Sequence, residues 1–99
     1  MRLEGLPDSF RSDIETAIAV LTSLGAREVF VFGSVVSREQ GVVPRDIDIG
    51  VSGLPQERFF RAYGRLMMQL VHDVDLVDLD DDGTFVQVLK DTGHLERVA

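Results

Sequence analysis

The sequence predicts an α/β (α+β) fold, with one small β-sheet flanked by helices in a single domain spanning 1–99. Three observations carry this. Two long segments repeat apolar residues at helical spacing. Three short β-rich segments follow or separate them. The chain has 99 residues, 44% of them apolar, which suffices for one modest core and excludes disorder.

Residues 8–24 read as the first helix. Phe10, Ile14, Ala17, Ile18, Leu21 and Leu24 recur three and four apart and share one face. Leu6-Pro7-Asp8-Ser9 supplies capping chemistry, and Gly25 is a stop. Val29-Phe30-Val31-Phe32 is a run of β-formers, apolar on both faces, as in a buried strand. Gly33-Ser34 ends it sharply. Residues 35–45 mix polar residues with Gly41 and Pro44, which predicts a short helical turn and then a loop. Asp46-Ile47-Asp48-Ile49-Gly50-Val51 alternates strictly, a strand with Ile47, Ile49 and Val51 on one face and Asp46, Asp48 and Gly50 on the other.

Residues 55–71 form the second long helix, with Pro55 in its first turn. Its expected buried stripe is Phe59, Ala62, Tyr63, Leu66, Met67 and Leu70. Val74–Leu79 is a third strand, and Asp81-Asp82-Gly83 a turn. Phe85, Val88 and Leu89 predict a short last helix closed by Gly93, with Leu95 and Val98 in a brief extended tail. The short links leave parallel and mixed sheets both open. Tyr63, Met67 and Met68 cannot all point into one small core. Either part of this helix meets a partner, a second copy included, or the second face of the sheet takes them.

The charge narrows the function classes. Ten Lys and Arg stand against 17 Asp and Glu, a formal net charge of −7. Duplex DNA binding needs clustered cations and is not expected. With no Cys, disulfide scaffolds, Cys-ligated zinc modules and thiol nucleophiles are excluded. No apolar run reaches the roughly 20 residues that span a bilayer. Met1-Arg2-Leu3-Glu4-Gly5 has no apolar signal region, so a cytoplasmic address is expected. Six carboxylates crowd between Asp73 and Asp82.

Asp46 and Asp48 are the most informative pair. Residues two apart on a strand project from one face, and carboxylates side by side repel each other. A divalent cation removes that conflict, because hard oxygen donors at one point suit Mg²⁺ or Mn²⁺. Mg²⁺ completes its shell with water and substrate phosphates, so the pair points to a phosphorylated substrate. The bland alternative is the solvated face of an edge strand. Gly33 permits close backbone approach to a ligand. Ser34 offers a hydroxyl and an N–H to phosphate, and also fits the simpler role of a helix N-cap. Asp75, set in an apolar frame, is the candidate third carboxylate, as a metal ligand or as the acceptor of a hydroxyl proton. Asp73 and Asp78 are rivals by proximity. Asp80, Asp81 and Asp82 read as a solvated turn.

Together, Val31-Phe32-Gly33-Ser34, eleven intervening residues, Asp46-Ile47-Asp48-Ile49 and the later Val74-Asp75-Leu76-Val77 resemble the minimal nucleotidyltransferase domain of the DNA polymerase beta superfamily. The resemblance runs from the first helix to Gly93. It implies the nucleotidyltransferase fold, with a mostly mixed sheet. It also implies that Gly33 and Ser34 hold nucleotide phosphates, that Asp46, Asp48 and Asp75 bind two Mg²⁺ ions (Mn²⁺ being an alternative), and that Asp75 activates the acceptor. The implied reaction is attack of an acceptor oxygen on the α-phosphorus of a nucleoside triphosphate such as ATP. Chains this short resemble the antitoxin half of a toxin–antitoxin pair whose partner is a small helical HEPN-type protein, with AMP transferred to a hydroxyl of that partner. The alternatives are a non-catalytic binding antitoxin and transfer to a small molecule such as an aminoglycoside. Arg38 and Arg45 are candidates for phosphate contact, or simply solvated surface residues.

Overall fold

The computed structural model describes residues 7–33, 46–92 and 95–99. The first helix, α1 (Asp8–Ser23), runs where the apolar spacing puts it. Phe10, Ile14, Ala17, Val20 and Leu21 are its buried apolar positions. Its start differs from expectation. Pro7 is the N-cap and makes no side-chain cap hydrogen bond, while its carbonyl accepts from the N–H of Phe10 at 3.0 Å. Asp8 sits inside the first turn, where its charge suits the helix dipole, and pairs with Arg11. The stop is as expected: Gly25 takes φ +109°, a left-handed conformation that glycine adopts without strain.

Strands β1 (Glu28–Phe32) and β2 (Asp46–Ser52) pair antiparallel. Helix α2 (Gln56–Gln69) then crosses back, so β3 (Asp73–Asp78) lies parallel to β2. After β3 comes α3 (Thr84–Thr92). A two-residue strand, β4 (Glu96–Arg97), pairs antiparallel with β1. The sheet is mixed, in the order β3-β2-β1-β4. The α/β expectation holds, and the extended tail around Leu95 and Val98 is a true edge strand.

The alternation in β2 decides where the core lies. Ile47, Ile49 and Val51 are buried beside Val29, Val31, Val74 and Leu76, and with Ile14, Ala17 and Leu21 of α1 and Ala62 and Leu66 of α2 they form one cluster. Asp46, Asp48 and Gly50 project from the opposite face.

One stripe needs correction. In α2, Ala62, Leu66 and the C-cap residue Leu70 are buried, and Phe59 and Tyr63 pack partly against the core. Met67 is 67% exposed and Met68 88%, alongside Phe60 and Val71. α2 lies over β3, an edge strand, so among the described residues no further strand covers that side of the helix. In α3 the buried residue is Val86, whereas Phe85 and Val88 are exposed.

Asp13 is a buried carboxylate inside the apolar stripe of α1, 3% exposed. It accepts hydrogen bonds from the N–H of Val71 at 3.0 Å and of His72 at 2.8 Å. His72 Nδ1 lies 2.8 Å from the same carboxylate. An ionised carboxylate only accepts, so Nδ1 is assigned the proton. The His72 ring stacks on Phe10 with centroids 3.7 Å apart. This network ties α1 to the two residues that lead into β3.

Burial pushes the Asp13 carboxyl up, but the two backbone N–H groups and His72 outweigh it and hold the pKa below the ordinary carboxylate range. A group whose pKa is lower folded than unfolded stabilises fully above the unfolded value, about 3.9, and loses that contribution as pH falls through the folded value. Urea denaturation at pH 7 should show Asp13→Ala destabilised by about 1–3 kcal/mol, because two part-buried N–H groups lose their acceptor. Between pH 5 and pH 3, wild type should lose more stability than Asp13→Asn. Equal losses would mean that Asp13 is not the titrating latch.

Candidate active site

The β2–β3 register sets the site. Asp48 pairs directly with Asp75, and Asp46 with Asp73. Adjacent strands lie about 4.8 Å apart, so Asp46, Asp48, Asp73 and Asp75 share one sheet face. Across the other side of β2, Asp48 pairs with Phe32, the last residue of β1.

Gly33 follows Phe32 with φ +72°, which a side chain rarely adopts. A Cβ there would collide with the Asp48 carboxylate and lie 3.1 Å from its Cγ. Backbone at the end of β1 therefore lies directly against the Asp48 carboxylate, in a space that a side chain would fill.

The electrostatics agree with the packing. Asp48 is half-buried between exposed Asp46 and exposed Asp75. Desolvation, then the charges of Asp75 and Asp46, push its pKa up. Tyr63, from α2, reaches the same group: its hydroxyl lies 3.2 Å from the Val74 carbonyl and 3.4 Å from Asp75 Oδ1.

The structure thus brings Gly33, Asp46, Asp48 and Asp75 together. Ser34, Arg38 and Arg45 lie outside the described residues. Asp73 belongs to the acidic face. Asp78 does not: it projects from the opposite face, and its Oδ1 accepts from the N–H of Asp80 at 2.9 Å. Asp80 is more than a solvated turn residue, since its Oδ2 accepts from the N–H of Gly53 at 2.7 Å. A separate groove of about 430 Å³, lined by Gln56, Phe59, Phe60, Asp78 and Asp81, contains none of the clustered carboxylates.

Among the described residues, no three His, Cys, Asp or Glu side chains converge as a preformed metal cage. The donors nevertheless fit a hard cation, because Mg²⁺ needs only one or two carboxylates and takes its other oxygens from water and phosphates.

Comparison with solved structures finds the same fold. A chain in the crystal structure of the toxin–antitoxin MntA–HepT superposes with TM-score 0.60 at 22% identity, over 88% of this chain and 69% of that one. A mutant of that toxin–antitoxin gives 0.63 at 24%, over 87% and 71%. A toxin–antitoxin with AMP-PNP gives 0.59 at 24%, over 87% and 69%. The fold is shared with these chains. No family model and no curated protein sequence matches.

Sequence reasoning missed Asp13, His72 and Tyr63 as parts of this arrangement. Asp13 carried a signal, a carboxylate on an apolar helix face, three residues after Phe10 and one before Ile14. Tyr63 was legible only as part of an apolar stripe, because its ring does pack there.

The raised Asp48 pKa makes a stability prediction. A carboxyl whose pKa is higher folded than unfolded costs stability while charged, and that cost is relieved as pH falls through the folded value. Removing the charge should have the same effect. At pH 7 in EDTA, Asp48→Asn should melt at or above the wild-type temperature. A clear drop would show that Asp48 holds the fold rather than a ligand.

Proposed function

We propose that this chain is a metal-dependent nucleotidyltransferase that moves AMP from ATP to a hydroxyl on a partner protein, as the antitoxin of a two-component pair. The observation that carries the reading is the acidic face itself, in which Asp46, Asp48 and Asp75 cluster, with the Gly33 backbone lying against the Asp48 carboxylate. A fold has no use for such a repulsive cluster in packing. A triphosphate with its cation neutralises it.

Asp46, Asp48 and Asp75 would hold Mg²⁺, in two ions on the family pattern, or Mn²⁺ in its place. Bound there, the metal supplies charge neutralisation at the reacting phosphate and the leaving pyrophosphate. The protein's own contribution is positional. Gly33, with Ser34 after it, borders the phosphates. Asp75, the most outlying of the three strand carboxylates because β3 is the sheet edge, is the group an incoming hydroxyl meets. In the transfer, the acceptor oxygen bonds to the α-phosphorus, the α–β phosphoanhydride bond breaks, and the hydroxyl proton passes to Asp75.

A partner as acceptor is supported by two further facts. The chains of like fold come from toxin–antitoxin crystal structures, one of them with AMP-PNP, and the partner would accordingly be a small helical HEPN-type protein. In addition, Phe60, Met67 and Met68 on α2, and Val71 just after it, expose apolar area that a partner or a second copy could cover. Among the described residues, no helix is long and apolar enough to cross a membrane.

The test is incubation with α-labelled ATP, Mg²⁺ and the product of the adjacent gene, read by mass spectrometry. The expected result is one AMP added to a partner hydroxyl, lost in Asp46→Ala and Asp48→Ala. Tight binding with no transfer in wild type would favour neutralisation by binding alone.

A further inference from the structure

We propose that Tyr63 is a positioning residue for Asp75: its hydroxyl holds one carboxylate oxygen, so that the other is presented to a ligand on the acidic face. This rests on the reading of Asp75 as a member of the ligand-binding carboxylates. The contact joins two elements with different duties. Tyr63 belongs to α2, where it lies between Ala62 and Leu66, both fully buried, and its ring packs partly against the core. The location of its hydroxyl is therefore set by core packing. Asp75 belongs to an edge strand and is exposed. Without a tether, its carboxylate would sample several rotamers.

The hydroxyl has one proton and two acceptors within reach, the Val74 carbonyl at 3.2 Å and Asp75 Oδ1 at 3.4 Å. The proton remains on the oxygen at neutral pH. A phenol ordinarily titrates at about 10, well above neutral pH. Tyr63 is therefore a permanent donor. Because it engages Oδ1, Asp75 keeps Oδ2 free and would bind a cation through one oxygen. Ring packing alone needs no hydroxyl, so the hydroxyl's contribution can be separated from that of the ring.

Carboxylates that ligate metals are commonly oriented by such outer hydrogen bonds, and losing one costs about 10–100-fold in metal affinity or activity. The probe is Mn²⁺ titrated calorimetrically, in the presence of a non-hydrolysable ATP analogue, into wild type, Tyr63→Phe and Asp75→Asn, with thermal melts of each. Tyr63→Phe should melt like wild type and bind Mn²⁺ about tenfold more weakly. In the ATP transfer assay, its apparent metal constant should rise while the rate at saturating Mn²⁺ stays near that of wild type. Wild-type Mn²⁺ affinity in Tyr63→Phe, with Asp75→Asn weakened, would overturn the positioning role and leave the carboxylate site standing. Unchanged binding in Asp75→Asn, or no binding in wild type, would remove Asp75 as a ligand and the proposal with it. A Tyr63→Phe protein that loses its cooperative melt would show that the hydroxyl is structural, which also overturns the proposal.

Discussion

Asp48 stands beside Asp75 because β2 and β3 pair in parallel with Ile47 opposite Val74 and Ile49 opposite Leu76. The side-chain period of a strand is two, so one register serves both faces. It sends four aliphatic side chains under the helices and four carboxylates, Asp46, Asp48, Asp73 and Asp75, to the opposite face. A slip of one residue would turn Asp48 or Asp75 inward and leave an isoleucine or leucine in water. Burying an aliphatic side chain is worth about 1.5–3 kcal/mol, and several are at stake. The hydrophobic effect on one face thus holds carboxylates together on the other, against their mutual repulsion.

That register has to be held at the entrance to β3, and two helices do so from different directions. α1 contributes Asp13, which accepts from the N–H groups of Val71 and His72 just before the strand begins. α2 contributes the Tyr63 hydroxyl, which meets the Val74 carbonyl and Asp75 within the strand. Both contacts are polar and directional, whereas the core beneath them is not. Packing decides which face of β3 is buried, and these groups fix where the strand lies along its axis. Gly33 completes the arrangement from β1, since its missing side chain lets backbone lie against the Asp48 carboxylate.

Much of this is legible in the amino-acid order. β2 is readable because its alternation is strict. α1 is readable because its apolar residues keep one face, and Gly25 marks its end through a left-handed φ. Asp46 and Asp48 are readable as a same-face pair from spacing alone. What is illegible depends on elements far apart in the chain. Asp13 meets His72 across 59 positions. Its burial signals that a partner exists without naming it. The extended tail is legible from Leu95 and Val98, but not its partner: Glu96 and Arg97 pair with β1, which lies far back in the chain. Met67 follows the helical period faithfully and is nonetheless exposed, because period gives direction and says nothing of where the sheet stops.

On the proposed reading, the acidic face takes a cation on its carboxylates and the nucleotide phosphates beside Gly33. The most direct test of that claim is anomalous diffraction at the manganese edge, from crystals grown with Mn²⁺ and a non-hydrolysable ATP analogue. The account predicts manganese density on the face carrying Asp46, Asp48 and Asp75, with the triphosphate beside Gly33. Manganese bound only elsewhere, or nucleotide seated away from Gly33, would contradict it.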